Sequence, residues 1–321
     1  MKYFIKRVVY FLLPILVILY PLDYFISEKI KKSNEYPGEF EVMNDIYAGK
    51  INCDLAVYGA SRAWVQISPV ILENITGWKT YNFGIDGHNF WLQYLRHIEY
   101  IKFNSTPKKI IVSVDFVTLQ KRKDLYYSEQ FLPYMLWNTD IYKYTNSYFG
   151  FDKIDYFIPL VRYIGKRKQL EFAFKDTYKT IKKKSKYRFR GYAGQDKKWN
   201  DDFDNAKLNN KKIKVIIDIK TLELFEKFIK ECNYLKIDVI LVYAPEYIEG
   251  QNFISNRDDI VDVFKKIEKD NKIPFLDYSK DSISYNKNNF YNSTHLNKKG
   301  AELFSNKLAE DLKTLKFYKY E

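Results

Sequence analysis

Hydrophobic positions along this chain change their spacing several times, and each change marks an element. From Val8 to Ile26 the run is almost wholly apolar, broken only by Pro14, Pro21 and Asp23 and preceded by Lys2, Lys6 and Arg7. About twenty such residues can cross a bilayer, and a basic flank before them places the N-terminus in the cytoplasm and the body outside. The bulky stretch Tyr20-Pro21-Leu22-Asp23-Tyr24 offers no small-residue cleavage site. Residues 1–30 are therefore expected to be an uncleaved membrane anchor, acting through residues 8–26, rather than a signal peptide. Residues 31–50 are polar, carry Pro37-Gly38, and read as a linker ending in a short helix.

Beyond that point short apolar runs alternate with helical periods. Asp54 to Tyr58, Thr80 to Phe83, Lys109 to Asp115, Asp238 to Tyr243 and Pro274 to Asp277 have the composition of strands buried on both faces. Ser68-Pro69 reads as a helix cap followed by proline at the first helical position, with Gly77 closing that helix. Phe90 to Ile101, Thr221 to Leu235, Val261 to Asn271 and Lys298 to Leu312 each carry an apolar side at helical spacing. This alternation predicts an α/β fold over residues 51–321, with three layers (α/β/α) around a mostly parallel, five-stranded sheet. The rhythm breaks between about residues 125 and 211. That interval is aromatic in its first half, basic in its second (Lys182, Lys183, Lys184, Lys186, Arg188, Arg190), and too long for a plain connection. It is expected to be a helical insertion.

Composition removes some function classes. The formal charge of +13 comes from lysines scattered along the chain, as drifting codon usage would also produce, so no nucleic-acid partner is expected. Such a charge still favours anionic lipid headgroups or anionic wall polymers. Cys53 and Cys232 each sit within an apolar pattern and read as buried free thiols. The chain has no CxxC pair, no HExxH and no clustered His/Asp spacing, so neither a metal nor another cofactor is expected.

Two short stretches carry candidate chemistry. Tyr58-Gly59-Ala60-Ser61 places a serine just after a buried strand, at the end of the sheet where α/β proteins bind ligands. Serine needs a neighbouring base to act as a nucleophile, and of three histidines His295 is best placed, in a loop entering the last helix. His88 and His97 read as polar surface or rim residues. Taken singly, Ser61 could be a helix cap and His295 a hydrogen-bonding loop residue. Together with the glycine pair in Asn82-Phe83-Gly84-Ile85-Asp86-Gly87, they point to a serine esterase or acyltransferase.

In these blocks the chain resembles the SGNH (GDSL-like) hydrolase superfamily, whose fold is flavodoxin-like, and within it the membrane-anchored DltD-like and AlgX-like branch of cell-envelope acyl transfer. Gly59-Ala60-Ser61 matches the nucleophile block, Asn82 to Gly87 the glycine block, and Asn292-Ser293-Thr294-His295-Leu296-Asn297 the Asp-x-x-His block. The resemblance implies Ser61 as nucleophile, His295 as general base, and the backbone N–H groups of Ser61 and Gly87 as the oxyanion hole. It also implies substrate contacts from Arg62, Asn82, Asp86 and Asp115.

Two departures stand out. The family's acid falls at Asn292, and its Gly-x-Asn block has no counterpart after Ile111 to Phe116. Either Asn292 orients His295, or a carboxylate such as Asp86, Asp115 or Asp281 replaces it, or catalysis has been lost and the fold binds glycan or a partner. The implied substrate is an acyl ester on a cell-surface polysaccharide or wall polymer, with envelope acyl-transfer proteins as partners.

Overall fold

The structure, a computed structural model, describes residues 1–33, 35–175, 187–209 and 212–315. In chain order it runs α1 (Lys2–Ile30), α2 (Glu39–Tyr47), β1 (Leu55–Gly59), α3 (Ser61–Gln66), α4 (Pro69–Thr76), β2 (Thr80–Asn82), α5 (Phe90–Phe103) and β3 (Lys109–Val114). Four short helices follow: α6 (Leu132–Met135), α7 (Thr139–Thr145), α8 (Arg167–Lys175) and α9 (Asp202–Leu208). The chain then closes with α10 (Ile219–Tyr234), β4 (Asp238–Tyr243), α11 (Arg257–Asn271), β5 (Phe275–Asp277) and α12 (Lys298–Thr314).

The chain divides into two compact units. One comprises residues 1–44 and 122–187, the other residues 45–121 and 188–321. In the second, all five strands are parallel, in the order β2-β1-β3-β4-β5. Parallel strands need crossover helices, and these cover both faces. Leu55, Val57, Ile111, Ile240 and Val242 pack in one cluster with Ala63, Ile67 and Leu72 of the α3–α4 region and Ala301, Phe304 and Leu308 of α12. On the opposite face Tyr58 meets Phe83, His97 of α5 and Phe228 of α10. The three expected layers are present, and Cys53 and Cys232 are buried free thiols.

Local signals explain the boundaries. The Ser68 side chain caps α4, Pro69 takes its first position, and Gly77 ends it in the left-handed conformation. Asp218 caps α10 and Asn297 caps α12 in the same way.

His97 differs from its expectation as a surface or rim residue. It is 2% exposed, with Nδ1 3.2 Å from the Tyr58 hydroxyl, and burial pushes its pKa down to about 3. His88 is buried too. The reason is that α5 packs on the sheet at Tyr58 and is flanked in the same layer by α10, whose Phe228 meets both Tyr58 and His97, so flanks that a one-sided helix would leave wet are covered.

In the first unit the N-terminal helix and the insertion fold together, which the expected division into anchor (1–30), linker (31–50) and insertion (125–211) did not contain. The helix is long and apolar enough to cross a membrane. Its side chains are exposed over most of its length, but Asp23, Ile26, Ser27 and Ile30 are buried within this unit. The lysine run at 182–186 lies outside the described residues, whereas residues 188–209 belong to the second unit.

Candidate active site

The order β2-β1-β3 reverses direction at β1, and an open parallel sheet has its ligand crevice beyond the strand ends at such a reversal. Gly59 ends β1 there with φ of 148°; a Cβ on it would come within 2.8 Å of Ala63 Cβ and 2.9 Å of Ser113 Cβ. Only glycine lets the strand turn this tightly into a helix. Ser61 is consequently the first residue of α3, with Ala60 rather than Ser61 at the cap position, so its hydroxyl is not spent on the helix. Instead Ser61 Oγ lies 2.7 Å from His295 Nε2, although 234 positions separate the two residues.

His295 is held by the turn that leads into α12. Phe290 and Leu296 form an antiparallel bridge, and Tyr291 N–H donates to the His295 carbonyl at 3.1 Å. Inside this turn Asn292 Oδ1 accepts from the backbone N–H groups of Thr294 (3.1 Å) and His295 (2.8 Å), and it also lies 3.0 Å from His295 Nδ1. Two backbone donors fix which amide atom is oxygen, since an NH₂ group there would face two N–H groups. The oxygen in turn requires the proton of the neutral imidazole on Nδ1. Nε2 is left as a bare lone pair aimed at the Ser61 hydroxyl, the arrangement a general base needs. Thr294 Oγ1, 3.0 Å from Nδ1 and 3.3 Å from Asn292 Oδ1, completes the group.

Among the described residues no carboxylate bonds His295. Asp86 Oδ1 accepts from Trp64 Nε1 at 3.3 Å, and Asp115 Oδ1 accepts from Val117 N–H and the Thr118 hydroxyl. Asp281 caps a turn at Ile283 N–H and pairs with Lys307. Of the four groups left open by the sequence, Asn292 is the one within bonding distance of His295 Nδ1. Burial pushes the imidazole pKa down to about 3, with the positive charges of Arg62 and then Lys197 adding to the shift.

The other expected site residues divide by burial. Asn82 is fully buried; its Nδ2 donates to the carbonyls of Ala63 and Ile67 at 2.8 Å each, and its Oδ1 accepts from Gly84 N–H at 2.9 Å. Arg62 is also buried, pairing with Glu246 at 2.8 Å, donating to the Ala244 carbonyl and packing over Tyr243. Asp115 closes its own loop. Asn82 thus ties the end of β2 to α3, Arg62 ties α3 to the segment after β4, and Asp115 closes the turn after β3, so the side chains expected to contact substrate are engaged in these structural bonds. Asp86 and Gly87 are partly exposed. Their loop lies against α3, because a Cβ at Gly84 would approach Trp64 N within 2.6 Å. Gly87 has φ of 71°.

Three features of the site were not foreseen. Tyr291 stacks on His295 with centroids 5.4 Å apart and an 11° interplanar angle. Exposed Lys197 sits 5.3 Å from the Tyr291 ring centre. Lys197 belongs to a strap over residues 193–200, tied down by Ala193 N–H to the Trp64 carbonyl, Lys298 N–H to the Gln195 carbonyl, and Asn200 N–H to the Tyr291 carbonyl. Tyr291 adjoins the histidine block and was visible in the sequence. Lys197 was not, being one lysine among many in a stretch read as solvated insertion.

No protein-family model and no curated protein sequence matches the chain. Among solved structures it is similar to a GDSL-like lipase from Bacteroides thetaiotaomicron, at 13% identity over 80% of this chain and 88% of that one, with a TM-score of 0.35. It is likewise similar to a protein described as a platelet activating factor from Streptococcus pneumonia, at 12% identity over 96% of this chain and 99% of that one, with a TM-score of 0.42. Likenesses this distant settle no activity. The functional reading rests on the site itself.

Proposed function

We propose that the protein is an SGNH-like serine esterase or O-acyltransferase, anchored in the cell membrane by α1 with its catalytic unit outside, acting on acyl esters of a surface polysaccharide or wall polymer. One observation carries the chemistry: the 2.7 Å contact between Ser61 Oγ and His295 Nε2, with Nδ1 held by an amide oxygen of fixed orientation. Ser61 Oγ attacks the ester carbonyl carbon while its proton passes to Nε2. The oxyanion lies at the backbone N–H groups of Ser61 and Gly87. Collapse expels the alcohol, which takes the proton back from His295, and the acyl group remains on Ser61. Water attacking that acyl-enzyme gives hydrolysis; a sugar hydroxyl gives transfer. No step calls for a cofactor.

The expected behaviour is turnover of short-chain acyl esters that falls by about 10⁴ or more in Ser61→Ala and in His295→Ala, as removal of either member of such a pair does elsewhere. Both variants should keep the wild-type circular dichroism spectrum. Folded wild type without turnover, together with specific retention of the polymer, would favour the non-catalytic binding protein instead.

A further inference from the structure

We propose that the insertion forms a lipid-interface collar: Trp137, Ile154, Phe157 and Ile158, with Tyr20 of α1, sit at the boundary between hydrocarbon and headgroups of the bilayer that α1 enters. This rests on the reading of α1 as a retained anchor and concerns the first unit alone.

The first observation is one of length. Fifteen residues separate Arg7 from Asp23. At about 1.5 Å per residue they span about 22 Å, short of the roughly 30 Å of a hydrocarbon core. Apolar surface beyond Leu22 is needed to fill the difference. Tyr24 and Phe25 supply it on one side of the helix, where both are exposed.

On another side the insertion supplies it. The acid that ends the run is removed from solvent: Arg162 holds both Asp23 oxygens, at 2.7 and 2.6 Å, and Leu160 N–H donates to the same carboxylate at 2.6 Å. Leu160 does so from a left-handed backbone with φ of 66°. A cut beyond Asp23 would strip Arg162 of this partner, which fits a retained helix and not a removed signal sequence.

At the same level of the helix Tyr20 stacks on Trp137, with centroids 5.1 Å apart and a 14° interplanar angle. Trp137 is fixed from behind by its N–H to the Tyr156 carbonyl at 2.9 Å and its Nε1 to the Phe157 carbonyl at 3.0 Å, yet it remains 55% exposed. Ile154, Phe157 and Ile158 beside it are exposed as well. A contiguous apolar rim of this kind is unusual on a protein bathed in water. Tryptophan and tyrosine, apolar in body and polar at one edge, favour the membrane interface. Continuity with the exposed face of α1 identifies lipid as the occupant.

The test uses full-length protein reconstituted in phosphatidylcholine/phosphatidylglycerol vesicles and labelled with an environment-sensitive fluorophore at one introduced cysteine: Ile158→Cys or Ile15→Cys. The native thiols are buried. Lipids spin-labelled near the headgroup should quench the label at position 158 by more than half. Quenching by lipid labels at position 15 but not at 158 would overturn the collar while keeping the anchor. Absence of quenching at both 15 and 158 would overturn the anchor, and the collar with it.

Discussion

Asn292 sets the character of the site. It supplies geometry to His295 without supplying charge, and its Nδ2 donates to no described protein group, so an aspartate could take its place without losing a bond. A hydrogen bond to an ionised acceptor is worth about 1.5–3 kcal/mol against about 1 for a neutral one. Asn292→Asp should therefore raise turnover about tenfold by stabilising the imidazolium of the transition state. The pH profile should move with it. In wild type the imidazole pKa is pushed down to about 3, so its base form persists well below neutrality and kcat/KM should hold flat from about pH 7 to pH 5. In Asn292→Asp the new negative charge raises that pKa toward the ordinary value of about 6.5, and the acid limb should move up by at least one pH unit. A large loss of activity in the folded variant, or an unmoved acid limb, would remove Asn292 from the orienting position. At this scale the candidate pair, Ser61 and His295, was legible, because serine after strand one and histidine before the last helix are local patterns. The partner of Nδ1 was not, since four side chains were candidates and only the turn at residues 292–295 chooses among them.

Among elements, α1 is the one whose meaning changed most. A hydropathy pattern shows a helix that could cross a bilayer; it cannot show that Asp23, its apparent flaw, is the docking point for Arg162 139 positions away. Removing one partner of a buried pair leaves an uncompensated charge and costs about 3–5 kcal/mol, whereas replacing both by apolar groups of similar volume is often neutral. Arg162→Met in detergent-solubilised protein should therefore open residues 122–175 to limited proteolysis, and the double change Asp23→Leu with Arg162→Met should restore most of the protection. Equal protection in wild type and Arg162→Met would mean that the pair does not hold the insertion. Strands and their covering helices were legible to within a few residues, since β-branched runs, Ser68-Pro69 and Gly77 act locally. The short helix α3 was missed because its six residues, Ser61-Arg62-Ala63-Trp64-Val65-Gln66, carry no helical period; packing alone gives it shape. Burial of His97 was missed for the converse reason, a periodic helix covered on more sides than its pattern declares.

For the whole molecule, strand order does what no single residue can. The reversal at β1 places Ser61 at the mouth of the sheet, and the last crossover returns the chain so that the turn before α12 reaches the same mouth. Alternating strands and helices made the layered fold readable. The division into units was not, because it depends on residues 1–44 joining residues 122–187, a long-range pairing without a local signature. The central claim is that this topology makes Ser61 a nucleophile through His295. Its most direct measurement is peptide mass spectrometry of full-length protein treated with an active-site-directed fluorophosphonate. The adduct should be found on Ser61 in wild type and be absent from folded His295→Ala. A folded wild type left unmodified at Ser61, or equal modification in the histidine variant, would contradict the account.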